Sequence, residues 1–125
     1  MTVPTLKRRA DFLRLRGGKR WSCAAFVLES KPRDPLSVLG KTEPRIGYTV
    51  TKRIGNAVVR NRIKRRLRAT VATLEAGELK NNCDYVLIAR HGALQRPFND
   101  LVNDLRAGLK SVHRPKRRKP ASDKP

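Results

Sequence analysis

The sequence predicts an α/β fold in which one layer of mixed β-sheet is packed with helices. Three segments carry this prediction. Residues 45–51 alternate apolar residues with glycine and threonine, as in a strand with one buried face. Residues 84–90 form a continuous apolar run, which is typical of a central strand. Between them, residues 56–76 have the apolar spacing of a long helix.

The flanking segments complete the predicted order helix, strand, strand, helix, strand, helix. Residues 6–15 favour a short basic helix, which Gly17 and Gly18 end. Residues 23–28 form an apolar run of strand length. Residues 97–112 predict a last helix with proline in its first turn and apolar residues, Phe98 among them, on one face.

The chain of 125 residues suits a single domain, which we place at residues 1–113. Residues 31–44 are rich in proline and are expected to form a loop. Residues 114–125 contain lysine, arginine and proline without a large apolar side chain. They are expected to form a disordered basic tail.

Charge dominates the composition. The chain has 30 Lys and Arg against 10 Asp and Glu, a formal net charge of +20. Self-repulsion on this scale favours a partner that carries many phosphates. No apolar stretch is long enough for a membrane span, and no apolar run follows the first basic residues as in a secretory signal. Cys23 and Cys83 lack metal-ligand spacing, so reduced thiols and a cytoplasmic location are expected.

The charge is concentrated in residues 52–68, where eight of 17 residues are basic. No acidic residue occurs between Glu43 and Glu75. The helical spacing places one apolar stripe toward the core: Val59, Ile63, Leu67, Val71 and Leu74. Polar residues project from the other side (Asn61, Arg62, Arg65, Arg68), and further basic residues flank the stripe (Arg60, Lys64, Arg66). A merely solvated face would mix acids with bases, so a phosphate-binding face is the better interpretation.

Four aromatic residues come from the first helix and the N-terminal strands: Phe12, Trp21, Phe26 and Tyr48. If the helix lies beside the sheet, they line a groove in which single-stranded bases stack. Core packing explains Phe12 equally well and is favoured for Phe26, whereas Trp21 is expected to be exposed. No nucleophile motif or metal-ligand motif appears, and the two histidines lie apart.

Residues 60–65 read Arg-Asn-Arg-Ile-Lys-Arg, after Lys-Arg-Ile-Gly-Asn-Ala-Val at 52–58 and the strand Ile-Gly-Tyr-Thr-Val at 46–50. This pattern closely resembles the protein subunit of bacterial ribonuclease P, and the resemblance covers about residues 5–112. It implies an α/β sandwich with a left-handed βαβ crossover, the ribosomal protein S5 domain 2-like superfold. It also implies a non-catalytic polypeptide that assists a catalytic RNA and its Mg²⁺ in removing the 5′ leader of precursor tRNA.

The resemblance assigns residues to two tasks. The matching RNA-binding residues are Lys52, Arg53, Asn56, Arg60, Asn61, Arg62, Lys64, Arg65 and Arg68. The expected leader groove consists of Phe12, Arg16 and Phe26, together with Tyr48 from the sheet. Arg16 stands where the family often has a second aromatic, and Glu29 stands where a tyrosine is common. Leader binding is therefore expected to depend more on charge than on stacking. The expected partners are the RNA subunit and the leader, with no membrane or DNA partner.

Three other classes remain open from the residues alone. A ribosomal or RNA-chaperone protein can be equally basic. A DNA-binding module could place the basic helix in a major groove, although so many cations leave few groups to read base edges. An autonomous nuclease would cleave precursor tRNA without any RNA subunit.

Overall fold

The computed structural model describes residues 3–33 and 42–114. The helices are α1 (Arg9–Arg14), α2 (Ala57–Ala72) and α3 (Phe98–His113). The strands are β1 (Lys19–Ser22), β2 (Phe26–Pro32), β3 (Arg45–Thr49) and β4 (Cys83–Ala89). Short 3₁₀ turns lie at Lys52–Ile54 and His91–Ala93. Most of the expected proline-rich loop and the basic tail beyond Arg114 lie outside the described residues.

The four strands form one mixed sheet in the order β1-β2-β4-β3. β1, β2 and β4 pair antiparallel, whereas β3 pairs parallel with β4. Because β3 and β4 are parallel neighbours, the chain must cross over between them, and α2 provides that connection. The mixed sheet packed with helices confirms the predicted fold class. No described helix is long and apolar enough to cross a membrane.

The sheet separates two apolar layers. On one face, α2 and α3 pack over a core that includes Phe26, Tyr85 and Leu87. On the other face, α1 and its flanking residues cover Val86 with a smaller apolar cluster. The alternation of side chains along β4 sends Tyr85 and Leu87 to one layer and Val86 and Ile88 to the other. β4 is therefore buried on both faces, as its continuous apolar run predicts.

The free edge of β3 is covered by the N-terminal segment. The Leu6 amide donates to the Ile46 carbonyl and the Ile46 amide donates to the Pro4 carbonyl, both at 3.0 Å. These bonds hold residues 4–6 in extended conformation, so α1 begins only at Arg9 and not at residue 6 as expected. The segment also occupies backbone groups that would otherwise be an open sheet edge.

The structure contains one strand that the sequence did not predict. β1 has a single large apolar residue, Trp21. It was expected to be exposed, but it is half-buried in the structure. Its indole packs against Gly108 of α3, where a Cβ atom would lie 2.6 Å from the ring. The apolar residues after β1 belong to the turn into β2, in which Ala25 is fully buried. The strand predicted at residues 23–28 therefore begins later, at Phe26.

α2 matches its prediction closely. The Asn56 side chain accepts a hydrogen bond from the Val59 amide at 3.0 Å and caps the helix. The predicted stripe is buried at Ile63, Leu67, Val71 and Leu74, with Val59 packed at its margin. The helix ends at Ala72, four residues early. On α3, Phe98 is 40% exposed, so it lies outside the core in which it was expected.

We expect Leu67→Ala to lower the free energy of unfolding by about 2–4 kcal/mol, because a fully buried side chain leaves a cavity. Arg65→Ala, on the exposed side of the same helix, should change it by less than about 0.5 kcal/mol. Urea unfolding followed by circular dichroism measures both. A larger loss for the arginine variant would contradict the orientation of α2.

Candidate nucleic-acid interface

One side of α2 is exposed and basic. We call Asn61, Arg62, Arg65 and Arg68 the cationic face, because all four are exposed and recur at helical spacing. The residues Arg60 and Lys64, which were expected to flank the apolar stripe, are half-buried. The fold therefore brings the helical members of the predicted RNA-binding set onto one surface.

The cations of this surface lack acidic partners. Within residues 3–33 and 42–114, no lysine or arginine of α2 forms an ion pair. The paired arginines lie elsewhere, with Arg96 on Asp104 and Arg106 on Glu78, for example. Unpaired guanidinium groups retain their donors for phosphate oxygens, which they bind in bidentate geometry. The surface is thus suited to a polyanion.

The turn before α2 adds to this surface. Lys52 and Arg53 are exposed in the 3₁₀ turn that leads into the helix. Asn56 is exposed as well, but its side-chain oxygen is occupied by the helix cap. Asn56 therefore has a structural task in the free protein, and only its amide nitrogen remains to donate to a ligand.

The sequence analysis did not assign Arg90 and His91 to the site, although both lie beside the turn that precedes α2. Arg90 and His91 follow β4 directly, and they line a cleft together with Thr51 and Arg53. Because β3 and β4 run parallel, the segments after each strand meet at one edge of the sheet. Arg90 also donates to the Cys23 carbonyl at 3.3 Å, which fixes the β1–β2 turn beside the cleft. The available signal was Arg90 at the end of the predicted strand, followed directly by His91.

Arg66 differs from its neighbours in the motif. Its guanidinium donates to the carbonyls of Ala93 and Leu94 at 2.6 and 2.7 Å, and also to the carbonyl of Arg96. These carbonyls belong to the connection between β4 and α3. Arg66 thus holds that connection against α2, and its donors face the protein.

Tyr48 lies on the α2 side of the sheet. The Arg68 guanidinium sits 5.6 Å from the centre of its ring. Burial raises the pKa of Tyr48 to about 12, although the positive charge of Arg68 acts in the opposite direction. One face of the ring is therefore already occupied by a cation from the protein itself.

The expected groove of Phe12, Arg16, Phe26 and Tyr48 is divided by the sheet. Phe12 packs against the α1 side, where a Cβ atom on Gly47 would lie 2.5 Å from its ring. Phe26 belongs to the core on the opposite side and has no exposed surface, so it cannot stack on a base. Tyr48 packs against the same core as Phe26. The grouping of Phe26 and Tyr48 with Phe12 was therefore wrong, because strand alternation sends them to the other face.

The residues that do accompany Phe12 come from three strands. Half-buried Ile88 packs with Phe12 against the same cluster. Val27 and Thr49 pair with Ile88 across the sheet and share its face. Arg16 is exposed just after α1. This α1 face thus combines one aromatic ring with Val27, Thr49 and Ile88 of the sheet, and the exposed Arg16 follows directly after α1.

We expect Arg66→Met to lower the free energy of unfolding by about 2 kcal/mol, because charged hydrogen bonds to three carbonyls are lost. Arg62→Met removes the same charge from an exposed position and should have an effect below about 0.5 kcal/mol. Chemical unfolding of both variants provides the comparison. Equal losses would mean that the contacts of Arg66 do not stabilise the fold.

Comparison with known proteins identifies the family. The sequence model of the Ribonuclease P family matches residues 3–113. The chain is 46% identical over 109 residues to the ribonuclease P protein component of Gluconacetobacter diazotrophicus, covering 86% of this chain and 89% of that protein. It is 42% identical over 108 residues to the same component of Paramagnetospirillum magneticum, covering 86% and 80%.

Solved structures agree. The Staphylococcus aureus RNase P protein superimposes with a TM-score of 0.69 at 29% identity, covering 87% of this chain and 94% of that chain. The Thermotoga maritima RNase P protein gives a TM-score of 0.65 at 25% identity, covering 81% and 90%. The family match, the sequence identities and the structural similarity show that the chain belongs to the ribonuclease P protein component family.

Proposed function

We propose that this chain binds the RNA subunit of ribonuclease P through the cationic face of α2 and binds the 5′ leader of precursor tRNA on the α1 face of the sheet. Membership of the family makes the chain a protein subunit of ribonuclease P, a tRNA-processing endoribonuclease complex. Beyond this membership, we propose which residues contact each RNA.

The observation that carries the proposal is the absence of carboxylate partners for the cations of α2 in the described part of the chain. Arg62 and Arg65 are exposed, and their repulsion is relieved only when an anion approaches. RNA supplies phosphates at regular spacing, and arginine binds them in bidentate geometry. Arg53 and Arg90, which line the cleft, extend the same surface.

Leader binding is assigned to the α1 face because it combines an accessible aromatic ring with neighbouring charge. Phe12 is half-buried, so part of its ring remains open to a base. Arg16 follows four residues later, exposed just after α1, and can contact a neighbouring phosphate. Stacking and backbone charge together are how sequence-tolerant single-strand sites operate.

The hydrolysis itself is assigned to the RNA, whose bound Mg²⁺ would activate the attacking water. In the described residues no group of three or more His, Cys, Asp or Glu side chains is placed to hold a metal ion. The acidic side chains of the described residues therefore do not make up a magnesium site, and RNA binding is the task that we assign to this chain. A cytoplasmic location, where precursor tRNA is processed, belongs to the same proposal.

We expect affinity for the RNA subunit to fall steeply with salt. Neutralisation of about six phosphates gives a slope of roughly −4 to −5 in a plot of log K against log salt concentration. Arg62→Ala combined with Arg65→Ala should make this slope less negative by about 1 to 2. Filter binding between about 50 and 400 mM salt measures the slopes.

Lys80→Ala combined with Lys110→Ala is the matched control, because it removes the same charge from exposed positions outside α2. Its slope should stay near that of the unaltered chain. A slope near −1 for the unaltered chain, or equal changes in the two double variants, would refute the assignment to the cationic face.

We expect Phe12→Leu to weaken the binding of precursor tRNA by about 1–3 kcal/mol in the reconstituted RNA–protein complex. Leucine preserves apolar packing on Gly47 but removes the aromatic face that stacks on a base. The binding of mature tRNA, which lacks the leader, should barely change. Equilibrium binding of the two RNAs to the same complex gives the comparison.

Phe98→Leu serves as the control, because Phe98 is also accessible to solvent, at 40% exposure, but lies at the start of α3. It should leave the binding of both RNAs unchanged. Equal losses for precursor and mature tRNA in the Phe12 variant would show that Phe12 acts through folding or through the RNA subunit, and the leader assignment would fail.

A further inference from the structure

A buried carboxylate joins three separate segments of the chain. The Asp84 side chain on β4 is fully buried and accepts four hydrogen bonds. Arg45 of β3 donates two of them, at 2.9 and 2.7 Å. Arg33, just after β2, and Arg14, on α1, donate one each at 2.6 Å. We call these four residues the Asp84 cluster.

The cluster is strongly held. Burial by itself would raise the pKa of Asp84, but hydrogen bonds from Arg45, Arg33 and Arg14 outweigh it and hold the pKa below its usual range. The carboxylate therefore stays charged at neutral pH. Both oxygens are used, so loss of any arginine leaves part of a buried charge without its donor.

The Arg14 side chain links α1 to the sheet. Its guanidinium bridges two segments, donating to Asp84 at 2.6 Å and to the Pro32 carbonyl at 3.0 Å. Asp11 adds a weaker contact, 3.7 Å from the Arg45 guanidinium. α1 has only six residues, no side-chain cap and no buried residue. A helix this short is unstable by itself, so its position depends on such tertiary contacts.

Phe12 lies between the two tethered residues of α1. Asp11 contacts Arg45 and Arg14 contacts Asp84, so the ring between them is held against Gly47. The ring fits this place only because Gly47 has no side chain, and a small rotation of α1 would move it off the strand. The orientation of the ring therefore depends on the ionic contacts on either side.

We propose that Asp84 is a positioning residue for leader recognition, which acts through Arg14 to hold α1 and Phe12 in the geometry that receives a base. The inference rests on the proposed leader site. It extends that site to a buried acid that touches no RNA. A base stacks only on a ring that is already in place, because ordering the helix at the moment of binding would reduce the affinity.

The test consists of two measurements, one on the reconstituted complex and one on the free protein. The first is the ratio of affinities for precursor and mature tRNA. The second is hydrogen exchange at the amides of residues 11–16 in the free protein. Of the contacts within the Asp84 cluster, Arg14→Met removes only the one between α1 and Asp84. It should reduce the ratio of the two affinities about five-fold or more, which corresponds to the loss of one base stack. It should also speed exchange in α1, whereas Arg14→Lys, which keeps one charged bond to Asp84, should recover part of both losses.

Arg96→Met is the matched control, because the Arg96 side chain is 38% exposed against 32% for Arg14 and forms an ion pair with Asp104 of α3. It should leave the ratio and the exchange of α1 unchanged. Asp84→Asn should reproduce the effect of Arg14→Met if it folds, and Arg14→Met keeps the test decisive if it does not.

Two results would overturn the inference in different ways. If Arg14→Met keeps the affinity ratio of the unaltered chain, the Asp84 cluster does not position the leader site, although that site itself stands. If the unaltered chain shows no preference for precursor over mature tRNA, the leader site fails, and the inference fails with it.

Discussion

Repulsion among 30 basic side chains, with only 10 acids to balance them, is the constraint on which this structure depends. The structure meets it by pairing acids with arginines that connect elements. Asp84 holds arginines from α1, β3 and the end of β2, while Asp104 and Glu78 each hold one arginine beside α3. In the described residues the cations of α2 have no such partners. Charge is therefore neutralised where it supports the fold and left without acidic partners on the helix that we propose as the RNA-binding surface.

The sheet keeps the two proposed binding surfaces apart. β4 presents Tyr85 and Leu87 to the core under α2 and α3, and Val86 and Ile88 to the layer under α1. The cationic face belongs to the first layer and Phe12 to the second. Because β4 is covered on both sides, it lies between the two layers. An RNA subunit bound to the cationic face and a leader bound to the α1 face would therefore lie on opposite sides of β4.

Neighbouring arginines of one motif perform different tasks according to their direction. Arg65 points to solvent, whereas Arg66 donates to carbonyls of the β4–α3 connection. Arg68 covers the ring of Tyr48. Composition alone treats these residues as equivalent. Their side chains diverge because successive helical residues are rotated by about 100° about the helix axis. The side chains of a continuous basic run therefore point to different parts of the protein and to solvent.

The sequence by itself determined the elements whose patterns are local. The apolar stripe of α2, its Asn56 cap and the buried strand β4 follow from spacing and capping chemistry, which act within a few residues. The motif at residues 52–65 was also sufficient to indicate the family. Tertiary structure alone decided what depends on distant contacts. β1 exists because Trp21 packs on Gly108, and Phe26 is separated from Phe12 by the face it occupies in the sheet.

The Asp84 cluster shows the same limit most clearly. Its four members are spread from residue 14 to residue 84, and no periodicity links them. In the sequence, Asp84 is only a polar residue at the start of an apolar run. Its role arises when β2, β3 and α1 bring three guanidinium groups to one carboxylate. Local patterns specify which segments form helices and strands, whereas a buried charge finds its partners only through the packing of those elements, because Coulomb attraction depends on distance in space and not on separation along the chain.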